Sequence, residues 1–362
     1  MKMDWAFLLF LLATSIYITY HNPDDAALLP GFFVPPVLIL YVIYWRKLRD
    51  EIPLDLVIKT FAFGFLPGAA VVMILELILA GIFFFVCFNE QIEGWFSALS
   101  SLTTMNGSNA PREVHFTIAQ QLFHRLHRPQ QISRTLVDHV LQAQGGGDTD
   151  PLTDIESAYG IVIKRSPGFY LFIALMAYVI AAGTEESLKY FTPLRFQACR
   201  NSSSKFVFLV CAVSCALGFS TVENMGYAMG SRGEEGQASL SARAYTAYSR
   251  AVVAITAHGV CGGLVGVGLT KKHVLGKSWG FPRILLPSLL VHGTFDFQQL
   301  LIAVLVWNVE VQNICVVVLN SIVLVGASVW YAVKGLDLTL TTQTPHEGVE
   351  LRDDVRLLGQ QA

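Results

Sequence analysis

The sequence predicts an all-α polytopic membrane protein, a bundle of about eight transmembrane helices, and two observations support this fold class. First, 53% of the 362 residues are hydrophobic and only 14% are charged, whereas soluble domains carry about 25% charged residues. Second, the chain contains long stretches almost free of Asp, Glu, Lys and Arg, and a span needs about 20 such residues. These stretches cover residues 5–20, 26–45, 61–88, 167–183, 206–230, 251–270, 284–306 and 311–333.

The charge balance and the cysteines argue against two other kinds of protein. The net charge is −2, and no region carries the excess of Lys and Arg that a nucleic-acid backbone attracts. We therefore expect no nucleic-acid partner. The six cysteines form no CxxC pair, so neither a disulfide framework nor a cysteine-based zinc site is indicated.

Three basic loops fix the expected orientation, because all three fall on the same side of an eight-span arrangement. The positive-inside rule makes that side cytosolic, which places both termini in the cytosol. The stretch 5–20 is either an uncleaved signal anchor or a signal peptide, and the thin positive region at Lys2 favours the anchor. The basic residues of the three loops are Arg46, Lys47, Arg49 and Lys59; Lys189, Arg195, Arg200 and Lys205; and Lys271, Lys272, Lys277 and Arg283.

Four regions follow from this layout. Residues 1–88 form an N-terminal three-span region, 89–166 a polar insertion on the non-cytosolic side, 167–333 a five-span core that resembles a catalytic unit, and 334–362 an acidic cytosolic tail. The tail is expected to be disordered because it is polar throughout. Within the insertion, apolar residues recur every four positions from Val114 to Leu126, which predicts an amphipathic helix.

Ionisable residues stand in the fourth to seventh spans, although a charge at the centre of the bilayer costs about 2.5–3.5 kcal/mol. Mutual pairing, water or a bound cation must offset that cost. The residues are Glu185, Glu186 and Lys189 at the end of the fourth span, Glu223 with Asn224 in the fifth, His258 in the sixth, and His292 with Asp296 in the seventh.

Helix geometry predicts how these groups are arranged. Glu185 and Lys189 are four residues apart, so they share a face and can pair, while Glu186 points about 100° away and is free for another task. A metal site with the ligands Glu223, His258, His292 and Asp296 suits Zn²⁺ or another divalent ion, with a water completing it. A metal there activates water, and a spare carboxylate accepts the proton.

The order of these motifs resembles the PrsW family of intramembrane metalloproteases, which is related to the CAAX prenyl endopeptidases. The motifs are Glu-Glu-x-x-Lys, Phe-x-x-x-Glu-Asn, a lone intramembrane His and His-x-x-x-Asp, and they span residues 183–296. The resemblance implies hydrolysis of peptide bonds in membrane-embedded or membrane-tethered proteins. It also implies catalytic roles for Glu185, Glu186, His258 and His292, with Lys189 and Asn224 supporting them.

Other interpretations of the same residues stay open at this point. A non-catalytic membrane scaffold would keep His258 and His292 as hydrogen-bonding groups between helices, and a proton- or ion-coupled transporter would use the acidic residues as a relay. Whether the metal is zinc, another ion or absent is also open. Gly-xxx-Gly pairs predict close helix packing or a helix–helix oligomer. They are Gly226/Gly230, Gly259/Gly263 and Gly262/Gly266.

One geometric conflict arises in the simplest drawing of the spans. Glu185 falls near the cytosolic end of its span and Glu223 toward the opposite end of its own, an offset of about 15–20 Å at 1.5 Å per residue. Either the fourth span continues beyond Lys189, or the helices are tilted, or Glu223 is not a ligand.

Overall fold

The computed structural model confirms an all-α polytopic membrane protein. It describes residues 20, 23–45, 48–105, 167–230, 232–233, 236–237, 239–305 and 309–341. Seven helices in this part of the chain are long and apolar enough to cross a membrane, which makes the chain an integral membrane protein. They correspond to seven of the eight predicted spans. The span predicted at 5–20 and the amphipathic helix predicted in the insertion lie outside the described residues, except for Tyr20.

The seven helices are numbered here in chain order. They are α1, Asp25–Trp45; α2, Leu54–Phe88; α3, Pro167–Arg195; α4, Val207–Gly230; α5, Leu240–His273; α6, Phe281–Leu305; and α7, Val309–Thr341. The α2 helix continues as far as Met105 past a kink at Phe88, where φ is −127°. A single helical turn, Gln197–Arg200, follows α3. Arg232–Gly233 and Gly236–Gln237 form a two-stranded antiparallel pair between α4 and α5.

Several helix ends differ from the predicted boundaries. The α3 helix continues twelve residues beyond the predicted end at 183, α2 extends into the predicted insertion, and α7 reaches Thr341 in the predicted tail. A hydropathy window stops at charges. The helix itself continues wherever backbone hydrogen bonding and side-chain pairing allow. The orientation of the termini remains a prediction from the basic loops.

The helices form two compact units. One consists of Met1–Val72, Ala182–His292 and Val318–Ala362; the other consists of Met73–Ala181 and Gly293–Val317. In the second unit, the aromatic rings of Phe84, Phe88 and Phe172 pack edge to face, with Phe88 and Phe172 centroids 5.4 Å apart. Tyr178 and Thr294 share a hydrogen bond of 2.9 Å there.

In the first unit, α4 and α5 form the centre, and most residues of both helices are buried. Two glycines of α5 allow the close approach that their spacing predicts. A Cβ on Gly262 would lie 2.9 Å from the Ala212 carbonyl oxygen, and one on Gly266 would lie 3.0 Å from the Phe208 carbonyl oxygen. This pair is therefore used within the chain and does not face an oligomer partner.

The Gly226/Gly230 pair behaves differently from its prediction. A Cβ on either residue meets no described atom within 4 Å. The small-residue spacing at this end of α4 therefore does not bring another described helix close. The spacing shows that close approach is allowed, but the neighbouring helix decides whether it occurs.

We predict that Gly218→Ala in α4 lowers the free energy of unfolding by about 1–3 kcal/mol, because a side chain there overpacks a filled interface. A Cβ on Gly218 would press on the backbone carbonyl of Phe61 in α2. The matched control is Gly226→Ala in the same helix, where space is open. Thermal unfolding in detergent should separate the two variants, and equal melting temperatures would contradict the packing argument.

Candidate active site

The α3 helix carries three charged residues of the site into the interior. Glu185, Glu186 and Lys189 are all buried, and Glu186 and Lys189 are 0% exposed. They lie well inside the helix because it runs on to Arg195. The continuation of this span removes the predicted offset between Glu185 and Glu223, since both carboxylates reach the same imidazole, that of His258.

The first chain of contacts runs from a lysine through a carboxylate to an imidazole. The Lys189 ammonium donates to Oε1 of Glu186, and His292 Nδ1 lies 2.7 Å from the same oxygen. The structure thus gives Lys189 a partner in Glu186, the residue that the helix spacing had left for another task. Residues three apart also share a helix face, and the structure uses that alternative.

The second chain reaches the other imidazole from the opposite side. His258 Nε2 lies 3.1 Å from Oε2 of Glu223, and Oε1 of Glu223 pairs with Arg250 Nη2 at 2.8 Å. On the far side of the ring, Lys189 Nζ lies 3.1 Å from His258 Nδ1. An ammonium can only donate, so Nδ1 accepts and the proton of the neutral ring is on Nε2, facing Glu223.

Glu185 lies where the two chains converge. Its Oε2 is 3.5 Å from His258 Nδ1 and 3.7 Å from His292 Nε2. The two imidazole rings are perpendicular, with centroids 4.9 Å apart. Each histidine thus has one ring nitrogen on an orienting carboxylate and the other directed at Glu185, an arrangement that is typical of metal-binding histidines.

Glu185, His258 and His292 form a group that can hold a metal ion. One donor atom from each lies within 4.8 Å of the others. Tetrahedral ligands at about 2.0–2.1 Å from Zn²⁺ are about 3.3–3.5 Å apart, and the two separations from Glu185 Oε2, 3.5 and 3.7 Å, are close to that range. The surrounding three carboxylates outnumber the two cations, which also favours a bound cation. Such an ion would take the Nδ1 lone pair that Lys189 contacts.

The comparison with known proteins gives one result. A family model described as PrsW family intramembrane metalloprotease matches residues 155–327. These residues make up just under half of the chain, and this region is similar to the PrsW family. No curated protein and no solved structure matches it. The match agrees with the family predicted from the motifs, and this region is therefore similar to hydrolases of the intramembrane protease class.

Two predicted site residues are not members of the metal-binding group. Asn224 donates from Nδ2 to the Ala247 carbonyl oxygen at 3.2 Å and, at 3.5 Å, to that of Gly31, so it ties α4 to α5 and α1. Asp296 is half-buried on α6, one helical turn beyond His292, and is not a member of the group. Its role as a ligand remains a prediction.

One residue of this candidate site was not predicted. Arg250 is connected to the site by its ion pair with Glu223, and its guanidinium lies 3.8 Å from the centroid of the Tyr227 ring. The signal was present in the sequence, because Arg250 adjoins an apolar stretch eight residues before His258. Its partner lies on another helix, so spacing rules within a helix do not find it.

Proposed function

We propose that the chain is a metal-assisted intramembrane endopeptidase in which Glu185, His258 and His292 hold a divalent cation, Zn²⁺ or a similar ion. The observation that carries the proposal is the convergence of three buried donor atoms from α3, α5 and α6. This set keeps both histidines of the predicted site and has Glu185 in place of Glu223 and Asp296. The substrate is a membrane-embedded or membrane-tethered protein, as the family implies.

Glu186 is the proposed general base. Its Oε1 accepts from Lys189 and His292, while its buried Oε2 makes no hydrogen bond to any residue that the structure describes. That oxygen can accept a proton from the attacking water and return it to the nitrogen of the leaving amine. The hydroxyl of the water then ends on the new carboxyl group, so one water is consumed per bond cleaved.

The remaining residues position the reacting groups. A bound cation supplies Lewis acidity that polarises the water and the scissile carbonyl. Lys189 holds Glu186, Glu186 holds His292, and Glu223 holds His258, so the proposed base and both proposed histidine ligands are positioned by neighbouring side chains. All of these residues lie in the five-span region 167–333, which we assign as the catalytic core.

Metal analysis of the purified protein tests the ligand assignment. The wild type is expected to bind about one divalent ion per chain, as one three-ligand site implies, whereas His258→Ala and His292→Ala should lose it. The matched control is His273→Ala, which removes another imidazole of α5, one that stacks on Phe208 5.2 Å away. Retention of the ion by both site variants, with equal affinity, would show that the three residues do not hold it.

Mapping of new protein N-termini tests proteolysis without requiring a known substrate. Membranes from cells that express the wild type are compared with membranes from cells that express Glu186→Gln. New N-termini in membrane proteins should appear with the wild type alone. A chain that binds no metal and generates no new N-termini would fit the scaffold interpretation instead.

A further inference from the structure

Arg250 is a cation on α5 that the family motifs do not include and the proposed mechanism does not use. It lies eight residues before His258, about 12 Å away along the helix axis at 1.5 Å per residue. The two residues are nevertheless connected, because Glu223 of α4 contacts both of them. Arg250 Nη2 is 2.8 Å from one carboxylate oxygen, and His258 Nε2 is 3.1 Å from the other.

The charged groups around His258 decide which of its two ring nitrogens carries the proton. A neutral imidazole carries one proton, and the atom facing each nitrogen decides where that proton lies. Lys189 Nζ lies 3.1 Å from Nδ1, closer than the Glu185 carboxylate at 3.5 Å, and the Glu223 carboxylate lies 3.1 Å from Nε2. The tautomer protonated at Nε2 turns its lone pair to the ammonium of Lys189 and its proton to the carboxylate of Glu223. That tautomer leaves Nδ1 unprotonated.

The carboxylate of Glu223 is paired with the guanidinium of Arg250. Glu223 lies in a membrane-spanning helix, and its side chain is 22% exposed, similar to the 21% of Arg250. The inner members of the site are far more buried, so this pair forms the outer end of the polar cluster. The face of Tyr227 lies against the guanidinium and restricts its rotation.

We propose that Arg250 is a positioning residue of the active site. Through Glu223 it fixes His258 in the tautomer with the proton on Nε2, and so keeps Nδ1 unprotonated, as a cation held by Glu185 and His292 would require. This inference adds a residue to the proposed active site. Its statement about the cation rests on the proposed function, and its statement about the tautomer does not. The tautomer is a property of the metal-free protein and can be measured separately.

Nitrogen NMR of ¹⁵N-histidine-labelled protein in detergent micelles, without metal, is the first experiment. The resonances of His258 are assigned by their loss in His258→Ala. The wild type should show a protonated Nε2 and an unprotonated Nδ1, and Arg250→Gln should give a mixture of tautomers. Arg250→Lys, which keeps the positive charge, should restore most of the wild-type pattern. A wild-type His258 protonated at Nδ1, or an Arg250→Gln spectrum identical to the wild type, would overturn the proposal.

Titration with Co²⁺, followed by its visible absorption, is the second experiment. Loss of an outer partner of a metal-binding histidine costs about 10–100-fold in metal affinity, and we expect that loss for both Arg250→Gln and Glu223→Gln. Because Arg250 acts through Glu223, the double variant should bind no more weakly than Glu223→Gln alone. A further loss of similar size in the double variant would show that Arg250 acts by another route.

Arg243 provides the matched control. It is a buried arginine on the same helix and pairs with Asp25, away from His258. Arg243→Gln should lower thermal stability while leaving the His258 tautomer and the Co²⁺ affinity of the folded protein unchanged. If the wild type binds no Co²⁺, the metal-dependent part of the proposed function fails, and the tautomer measurement still decides the role of Arg250.

Discussion

Replacing Glu186 with Gln is expected to lower the rate of peptide-bond cleavage by about 10²–10⁴-fold, the usual contribution of a general base. Glutamine keeps an acceptor oxygen for Lys189 and His292, the two partners of Glu186 Oε1. It cannot accept the proton of the attacking water, because an amide nitrogen takes the place of Oε2. The measurement is the initial rate with a substrate identified by N-terminus mapping, in detergent or in liposomes.

Two further variants separate lost chemistry from lost structure. Ser187→Ala alters the next residue of α3, whose hydroxyl donates to the Gly183 carbonyl oxygen, and it should cleave at the wild-type rate. Glu186→Gln combined with Lys189→Met removes both charges of the pair and should be folded yet inactive. Wild-type rates in Glu186→Gln would show that another group accepts the proton.

The fold was predictable because hydropathy registers the transfer of apolar helices into lipid, and this transfer is what chiefly decides where the spans lie. The end of α3 was not predictable in this way. The run of charges that begins at Glu185 reads as a loop when each charge is counted alone. Lys189 and Glu186 neutralise each other inside the bundle, so the helix continues to Arg195 with both residues buried.

The order of the motifs predicts a set of candidate site residues, but it does not predict the contacts among them. Helix spacing says which residues share a face, and it leaves open the rotation and tilt that decide which atoms of different helices meet. Glu223 and Arg250 lie on neighbouring helices, so their pairing at 2.8 Å needs the packed structure. The same limit explains why the sequence favoured Asp296 as a ligand, although the structure groups Glu185 with the two histidines.

Replacing Lys189 with Met is expected to lower the free energy of unfolding by about 3–5 kcal/mol, the usual effect of removing one partner from a buried ion pair. The Lys189 side chain is 0% exposed and contacts both Glu186 and His258. Its loss leaves the Glu186 carboxylate buried with His292 as its one remaining hydrogen-bond partner among the described residues. Unfolding by SDS titration in mixed micelles measures the change.

An exposed ion pair in the same unit provides the comparison. Lys59 pairs with Asp55 at 2.7 Å, with side chains 24% and 45% exposed, and Lys59→Met should change stability by no more than about 1 kcal/mol. The double variant Glu186→Gln with Lys189→Met should regain most of the stability lost in Lys189→Met, because neither charge is then buried alone. If the double variant is as unstable as Lys189→Met, then Lys189 stabilises the fold through His258 or through its packing, and Glu186 is not the reason that a lysine is buried here.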